Sequence, residues 1–189
     1  MLHDVVSAIA NWQHRPACAL VTSDTFALQL AMQHDFEIIP DPGNPGETGA
    51  IAIATEICLG RGVDYTLVIP ADIPLIHAAE LDQIITSVPA IGSVLAPAAD
   101  GRGTNAALRR PPDLFPLRFG NDSFKPHRAA AEATGKPCIV LQLPTIAIDA
   151  DNSEDLQLIL AQPGETLTQR LLRRWQAEGK LSFAPREKS

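Results

Sequence analysis

Asp72 is the first residue whose type and position could do chemistry, because it follows directly on an apolar segment. The run reads Val68-Ile69-Pro70-Ala71-Asp72-Ile73-Pro74, which predicts a buried strand and a turn fixed by Pro74. Ligands of parallel sheets bind beyond the carboxyl ends of the strands, and a carboxylate there can hold Mg²⁺ together with substrate phosphates. The alternative is an aspartate that caps a turn or a helix. The residues alone do not choose between the two.

A second acidic segment, residues 148–153, reads Ile-Asp-Ala-Asp-Asn-Ser. We expect one of Asp149 and Asp151 to face the crevice at the end of the sheet, and the other to cap the helix that begins at Ser153. A second carboxylate near Asp72 would complete a divalent-cation site. The two acidic segments together therefore indicate more than either does alone.

Two glycine-containing loops predict a site for a small anion. Residues 101–105 read Gly-Arg-Gly-Thr-Asn, and residues 119–124 read Phe-Gly-Asn-Asp-Ser-Phe. Glycines let the backbone approach a ligand, and a helix N-terminus presents unpaired N–H groups to an anion. Thr104 and Ser123 would add hydroxyl groups, and His127 shares the helical face of Ser123, where it either contacts the ligand or has a structural role. The alternative for both loops is two ordinary turns and a serine that caps the helix.

The charge of the chain, −7 at pH 7, is unevenly distributed. Residues 1–100 contain 12 acidic residues and only two cations, Arg15 and Arg61. Residues 101–128 contain two acidic residues and six cations: Arg102, Arg109, Arg110, Arg118, Lys125 and Arg128. Nucleic-acid binding needs a broad basic face, so this local excess favours a confined site for a small anion and argues against nucleic acid. A solvated basic loop is the alternative.

The elements that must position these residues follow from hydrophobic periodicity and turn chemistry. Helices are predicted at 2–9, 26–31, 48–59, 78–86, 123–134, from 153 onward and at 165–177. Strands are predicted at 17–21, 36–39, 65–69, 93–97, 105–109, 138–143 and 145–148. Strands that alternate with helices predict βαβ units and a mostly parallel sheet covered on both faces. A chain of 189 residues, 46% of them hydrophobic, suits one domain.

Composition also bears on the compartment. The longest apolar run, Tyr65–Ile69, has the length of a strand, so no membrane span is expected. Residues 1–30 have no basic start and are interrupted by charge, so they do not resemble a signal peptide. The three cysteines (Cys18, Cys58 and Cys138) lie far apart in apolar runs, which favours free thiols in a reducing compartment. We therefore expect a cytoplasmic protein.

Four motifs together resemble a known family. In order along the chain they are Pro70-Ala71-Asp72-Ile73-Pro74, Gly103-Thr104-Asn105, Phe119-Gly120-x-x-Ser123-Phe124 with His127, and Ile148-Asp149-Ala150-Asp151 with Glu154-Asp155-Leu156. Their order and spacing are similar to those of the 2-phospho-L-lactate/phosphoenolpyruvate guanylyltransferases, which make the lactyl arm of the deazaflavin coenzyme F-420. The resemblance extends from Met1 to about Leu160, and the four motifs jointly are specific.

The resemblance implies a nucleotidyltransferase-like α/β fold of three layers, α/β/α, with a mostly parallel mixed sheet over residues 1–162, followed by a C-terminal helix and tail at 163–189. The implied reaction joins GMP from GTP to phosphoenolpyruvate or 2-phospho-L-lactate and releases pyrophosphate. Phosphoglycerate differs from these acids by a few atoms, and the sequence does not decide among the three. A homodimer is left open as the oligomeric state.

The resemblance also implies roles for individual residues. Thr104, Gly120 and Ser123 look like the cradle for the phosphate of the acid. Asp72 and one of Asp149 and Asp151 look like the Mg²⁺ ligands, with Asp151 favoured over Asp149 as the second catalytic carboxylate. Metal ions and backbone amides suit this chemistry because two anions must meet.

The chain departs from the family pattern in two places. Family members begin with a strand and a Lys-containing loop that embraces the triphosphate, and Met1–Val6 align with the helix that follows this loop. We therefore expect a gap in the middle of the sheet and weak GTP binding. Two explanations of this departure are a reading frame that begins at an internal start and a paralogue that has lost nucleotide transfer. Residues 47–50 read Glu-Thr-Gly-Ala where the family has Gly-Leu-Asn-Ala. The two departures together leave two alternatives open. One is a non-catalytic protein that binds the acid, and the other is a transferase with another nucleotide or sugar phosphate.

Overall fold

The computed structural model describes residues 1–43, 46–120, 122–181 and 183. Asn121 of the second glycine loop and most of the predicted tail after residue 181 lie outside these ranges. The helices of the described residues are α1 Leu2–Ala10, α2 Thr25–Gln33, α3 Gly46–Gly60, α4 Ala78–Ser87, α5 Phe124–Ala133, α6 Ser153–Ala161 and α7 Leu167–Ala177. The strands are β1 Ala19–Val21, β2 Glu37–Ile39, β3 Thr66–Val68, β4 Gly92–Pro97, β5 Thr104–Arg110 and β6 Cys138–Val140.

The strands form two sheets. β1 and β2 are a parallel pair, and the other four strands follow the order β3-β5-β4-β6. In the larger sheet β4 and β6 are parallel, whereas β5 is antiparallel to both β3 and β4. The predicted mixed sheet is therefore confirmed, but it is not mostly parallel, because two of the three strand pairings in the larger sheet are antiparallel. Among the strands that the structure describes, none joins β1 to β3, which agrees with the expected gap, and α3 contacts both of these strands.

Helices cover both faces of the larger sheet. Successive residues of a strand point to opposite faces, and β4 shows this clearly. Val94 packs in one apolar cluster with Leu81 of α4, whereas Leu95 packs in another with Ile51 of α3 and Ala131 of α5. These are the three layers, α/β/α, that the sequence predicts. They place the loops after the strands at one edge, where the candidate site lies.

Two predicted strands differ from the structure. β6 ends at Val140, although the strand was expected to continue to residue 143. The predicted strand at 145–148 is wrong, because residues 144–147 form a turn. Pro144 has no N–H for a strand ladder, and the amide of Ala147 donates to the carbonyl of Leu143 at 2.8 Å. The apolar side chain of Ile146 is fully buried, so it joins the core from a turn.

The C-terminal helix is attached to the first helix by Asp4. The carboxylate of Asp4 accepts hydrogen bonds from the amides of Leu167 at 2.8 Å and Thr168 at 2.9 Å, and from Oγ1 of Thr168 at 2.5 Å. A carboxylate at a helix N-terminus satisfies amides that have no partner within the helix. α7 thus lies against α1 and α6, and the boundary near residue 162 stays a prediction.

None of the helices described here is long and apolar enough to span a bilayer.

Candidate active site

A cleft of about 580 Å³ contains all six predicted site residues. They come from separate parts of the chain and meet at the edge of the larger sheet: Asp72, Thr104, Gly120, Ser123, Asp149 and Asp151. Asp72 follows β3, Thr104 begins β5, and Ser123 precedes α5. The fold therefore brings together residues that are up to 79 positions apart between Asp72 and Asp151.

A chain of buried hydroxyl groups forms one wall of the cleft. Oγ of Ser123 donates to Oγ1 of Thr104 at 3.2 Å, and Oγ1 of Thr104 lies 2.9 Å from Nδ1 of His127. The two hydroxyl-bearing residues are only 4% and 3% exposed. Ser123 does not cap α5 with its side chain, so the alternative of a simple capping serine does not hold.

The hydrogen bonds of His127 fix its tautomer. Nε2 accepts from the amide of Arg118 at 2.8 Å, so the ring proton of the neutral form must lie on Nδ1 and point to Thr104. Burial, and secondly the charge of Arg109, lower the pKa of His127 to about 4, so the ring is neutral at pH 7. Thr104 then accepts two hydrogen bonds and keeps its own hydroxyl hydrogen for a ligand. His127 thus has a structural role.

The segment before Ser123 is held to the start of α3. Oγ1 of Thr48 accepts from the amide of Phe119 at 3.0 Å and donates to the carbonyl of the same residue at 3.4 Å. The ring of Phe119 packs on His127 with centroids 5.0 Å apart. Gly120 follows with φ of 129°, a backbone conformation that favours glycine. Thr48 therefore positions Gly120 at the cleft, a role that sequence reasoning missed.

Asp72 fits a cation ligand. Its Oδ1 atom is buried and has no hydrogen-bond partner among the described residues, which is costly for a carboxylate unless a cation neutralises it. Burial and then the negative charge of Asp151 raise the pKa of Asp72. A divalent cation would repay this cost, because Mg²⁺ is held by one or two carboxylates plus phosphate oxygens.

Asp149 and Asp151 both line the cleft, so the expectation that one of them caps α6 is wrong. Residues two positions apart on extended backbone share a side, and the cap is Asn152, whose side chain accepts from the amides of Glu154 and Asp155. Burial, and then the charges of neighbouring carboxylates, raise the pKa of Asp149 to about 6. The carboxylate of Asp155 accepts from the amide of Asp151 at 3.2 Å and so fixes its backbone.

Glu47 is a further carboxylate of the cleft that the sequence did not single out. Burial raises its pKa, as do the charges of Asp72 and Asp151, so the three carboxylates share one electrostatic environment. The departure from the family pattern at residues 47–50 is the available signal. The change in nucleotide selectivity that it suggests stays a prediction, and the structure adds that Glu47 lines the cleft together with the candidate metal ligands.

Most of the basic residues at 101–128 lie away from the cleft, although the segment itself supplies Thr104, Gly120 and Ser123 to it. The anion site expected there stays a prediction. The guanidinium of Arg109 is buried and donates to the carbonyl of Phe115 at 2.7 Å and to Thr55, and that of Arg110 stacks on Tyr65. Among the described lining residues Arg102 is the one cation, and it pairs with Asp122. Eight carboxylates line the same cleft: Glu47, Asp72, Asp100, Asp122, Asp149, Asp151, Glu154 and Asp155.

The described residues contain no group of three or more His, Cys, Asp or Glu side chains arranged to hold a metal on protein ligands alone. The cleft instead combines these carboxylates with hydroxyl donors and a helix N-terminus. An anionic ligand can bind the hydroxyl and amide donors directly. Beside so many carboxylates, it needs a cation as well.

Solved structures share the fold of this chain. A protein of Desulfovibrio desulfuricans assigned to the nucleotide-diphospho-sugar transferases matches with a TM-score of 0.72 and 17% identity, over 94% of this chain and 83% of that one. A 4-diphosphocytidyl-2C-methyl-D-erythritol synthase matches with a TM-score of 0.63 and 15% identity, over 91% of this chain and 87% of that one. The chain has the same α/β fold as these structures.

The chain belongs to the family described as "Guanylyl transferase CofC like", whose model matches residues 1–188. A phosphoenolpyruvate guanylyltransferase of Sphaerobacter thermophilus is 34% identical over 83% of this chain and 75% of its own length. A 2-phospho-L-lactate guanylyltransferase of Methanothermobacter thermautotrophicus is 30% identical over 92% and 76%, respectively. A 3-phospho-D-glycerate guanylyltransferase of Colwellia psychrerythraea is 31% identical over 80% and 71%.

Proposed function

We propose that this protein transfers GMP from GTP to a phosphorylated three-carbon acid and releases pyrophosphate, as a step in the biosynthesis of coenzyme F-420. The observation that carries the proposal is the cleft itself, which is lined by the buried hydroxyl donors of Thr104 and Ser123 together with the carboxylates of Asp72, Asp149 and Asp151. The acid is phosphoenolpyruvate, 2-phospho-L-lactate or 3-phospho-D-glycerate, the substrates in the names of the relatives. GTP and the acid are small cytoplasmic metabolites, so we expect the reaction to take place in the cytoplasm.

The hydroxyl and amide donors of the cleft bind the phosphate of the acid in this proposal. Thr104 donates its free hydroxyl hydrogen, and the first amides of α5 add partial positive charge. Gly120 brings backbone close to the ligand without a side chain. Apart from its chain neighbours, no described residue has an atom within 4 Å of the place where its Cβ would be. Ser123 holds the hydroxyl of Thr104 in place through the 3.2 Å hydrogen bond. These groups orient one phosphate oxygen toward the nucleotide.

The carboxylates of the cleft would hold Mg²⁺ through Asp72 and one of Asp149 and Asp151, with Asp151 favoured. When bound, Mg²⁺ neutralises the phosphates of GTP and stabilises the charge that develops at the α-phosphorus. The buried Oδ1 of Asp72 is the atom best suited to this role, since it has no other partner among the described residues. Asp149 must lose its proton to contribute, because burial raises its pKa to about 6.

The chemistry then needs no covalent intermediate with the protein. A phosphate oxygen of the acid attacks the α-phosphorus of GTP and forms a new P–O bond. The bond from the α-phosphorus to the bridging oxygen breaks, and pyrophosphate leaves with the electron pair. The protein contributes position and electrostatic stabilisation, as is usual for this type of transfer.

Binding calorimetry with Mg²⁺ present tests the proposal against its alternatives. The three acids and a panel of nucleoside triphosphates are titrated separately into the protein. We expect one acid and GTP each to bind, GTP weakly, because eight carboxylates line the cleft. Binding of an acid without any triphosphate would indicate a non-catalytic binding protein, and a preference for another triphosphate would indicate a different transferase. Binding of no acid at all would overturn the proposal.

A further inference from the structure

Glu80 of α4 is a buried carboxylate that makes three hydrogen bonds to a single turn. Its side chain accepts from the amide of Thr145 at 3.0 Å, from Oγ1 of Thr145 at 2.6 Å and from the amide of Ile146 at 2.9 Å. The residue is 7% exposed and has no ion-pair partner among the described residues. Its charge is therefore balanced by these three donors alone.

The turn that Glu80 holds leads directly into the acidic segment of the cleft. Nδ2 of Asn105 donates to the carbonyl of Ile146 at 2.9 Å, and the amide of Ala99 donates to the carbonyl of Ala147 at 2.8 Å. Asp149 follows two residues later. The turn is thus held from three directions, by α4, by β5 and by the loop after β4. The apolar contacts of Ile146 alone would not fix its backbone orientation.

We propose that Glu80 is a positioning residue for Asp149 and Asp151, and that it acts through the turn at Thr145 and Ile146. This inference rests on the proposed function, in which these aspartates face the metal. Glu80 does not line the cleft, so its effect must pass through the turn. Residues that orient metal ligands in this way affect metal affinity without touching the ion.

The acceptor geometry explains why this position needs a carboxylate. Two backbone amides and one hydroxyl all donate to Glu80, so every contact requires an oxygen with a free lone pair. A glutamine would present an NH₂ group to one of these donors. The turn would then lose at least one bond in a buried place, and its backbone would rearrange. Bonds to a carboxylate are also stronger than neutral ones.

Asp4 provides a matched control within the same chain. It too is a buried carboxylate that accepts two consecutive amides and one threonine hydroxyl, from Leu167 and Thr168. The helix that it holds, α7, contributes no residue to the cleft. Asp4→Asn and Glu80→Gln therefore disturb the same three types of hydrogen bond, although Asp4 also lies 3.8 Å from the N-terminal ammonium. Only Glu80 lies on a path to the candidate metal ligands.

The test compares these two variants with the wild-type protein, using Mn²⁺ as a spectroscopic probe in the presence of GTP. Glu80→Gln should weaken Mn²⁺ binding by about 10- to 100-fold, with the KM for the acid changed much less. Amide hydrogen exchange should accelerate at Thr145 and Ile146. Asp4→Asn should leave Mn²⁺ binding unchanged and accelerate exchange only at Leu167 and Thr168.

Equal effects of the two variants on Mn²⁺ binding would overturn the inference. If Glu80→Gln does not fold, Thr145→Val serves instead, because it removes one of the three bonds and keeps both amides. A wild-type protein that binds no Mn²⁺ with GTP would overturn the proposed function. In that case hydrogen exchange at residues 149–151 decides whether Glu80 orders this segment: faster exchange in Glu80→Gln supports the positioning role, and unchanged exchange contradicts it.

Discussion

The hydroxyl of Ser123 donates to the hydroxyl of Thr104 across 19 residues of sequence and a distance of 3.2 Å. Because His127 donates to the same oxygen, Thr104 is left with a hydrogen that no described residue accepts. This one relationship turns two separate loops into a single donor for an anion. The free hydrogen of Thr104 sets where the phosphate of the acid binds in the proposed function, and several predictions depend on it.

Replacement of Thr104 by valine should raise the KM for the acid by about 10- to 100-fold, since a hydrogen bond to a charged group contributes about 1.5–3 kcal/mol. The KM for GTP should change little. Steady-state kinetics with each substrate varied in turn measures both values. Thr86→Val is the control, because Thr86 lies exposed on α4 and donates only to carbonyls of its own helix. Equal effects of both variants on the acid would contradict the assignment of Thr104.

Replacement of Asp72 by asparagine should abolish metal-dependent turnover without lowering thermal stability. Burial raises the pKa of Asp72, which means that the ionised carboxylate destabilises the folded state at neutral pH. The neutral asparagine removes that cost. Turnover and the unfolding midpoint are measured on the same preparations, with Asp64→Asn as an exposed control. A variant that remains active, or that unfolds at a clearly lower temperature, would argue against a cation ligand at this position.

Stability should depend on pH through His127. The folded protein takes up a proton at this ring only near pH 4, whereas the unfolded chain does so near its usual pKa of about 6.5. Between these values the unfolded state binds more protons, so the contribution of His127 to stability is lost as the pH falls. The slope is at most about 1.4 kcal/mol per pH unit.

Urea unfolding of wild-type protein and His127→Asn between pH 4.5 and 7 measures this slope. Asp149 has the opposite dependence, because its pKa is raised to about 6, but it is common to both proteins and cancels in the difference. The wild type should lose stability relative to the variant as the pH falls. Parallel curves would show that the ring of His127 is not held neutral.

Replacement of Thr48 by valine should raise the KM for the acid by about fivefold, as expected for the loss of roughly 1 kcal/mol. The two hydrogen bonds of Thr48 to Phe119 would be lost, and Gly120 would no longer be held at the cleft. Thr48→Ser keeps the hydroxyl and should behave as the wild type. If the serine and valine variants have the same KM, Thr48 does not position this loop.

Much of the fold was predictable because it depends on local pattern. The packing of Val94 and Leu95 on opposite faces of the sheet follows from strand geometry. The cap of α2 follows from Asp24, which accepts from the amide of Ala27. The turn at residues 144–147 was not predictable, since the carboxylate that holds it, Glu80, is 65 residues away. Long-range polar contacts of this kind leave no periodic signal in the sequence.

The candidate site was predictable in membership and less so in electrostatics. The residue types of Asp72 and Ser123 at strand and helix ends indicated their location. The positions of the arginines were not predictable, because Arg109 is buried and donates to the carbonyl of Phe115 at 2.7 Å, a contact that no local pattern indicates. Glu47 approaches Asp72 only through the packing of α3, which no local pattern reveals.

Transfer of label from GTP tests the central claim most directly. The protein is incubated with Mg²⁺ and GTP labelled at the α-phosphorus, with each of the three acids in turn, and the products are separated and weighed by mass spectrometry. The account predicts that one acid acquires the labelled GMP and that pyrophosphate appears in equal amount, with a much slower reaction for Thr104→Val at low concentrations of the acid. Label that stays in GTP with all three acids, or product that forms equally well in Thr104→Val, would contradict it.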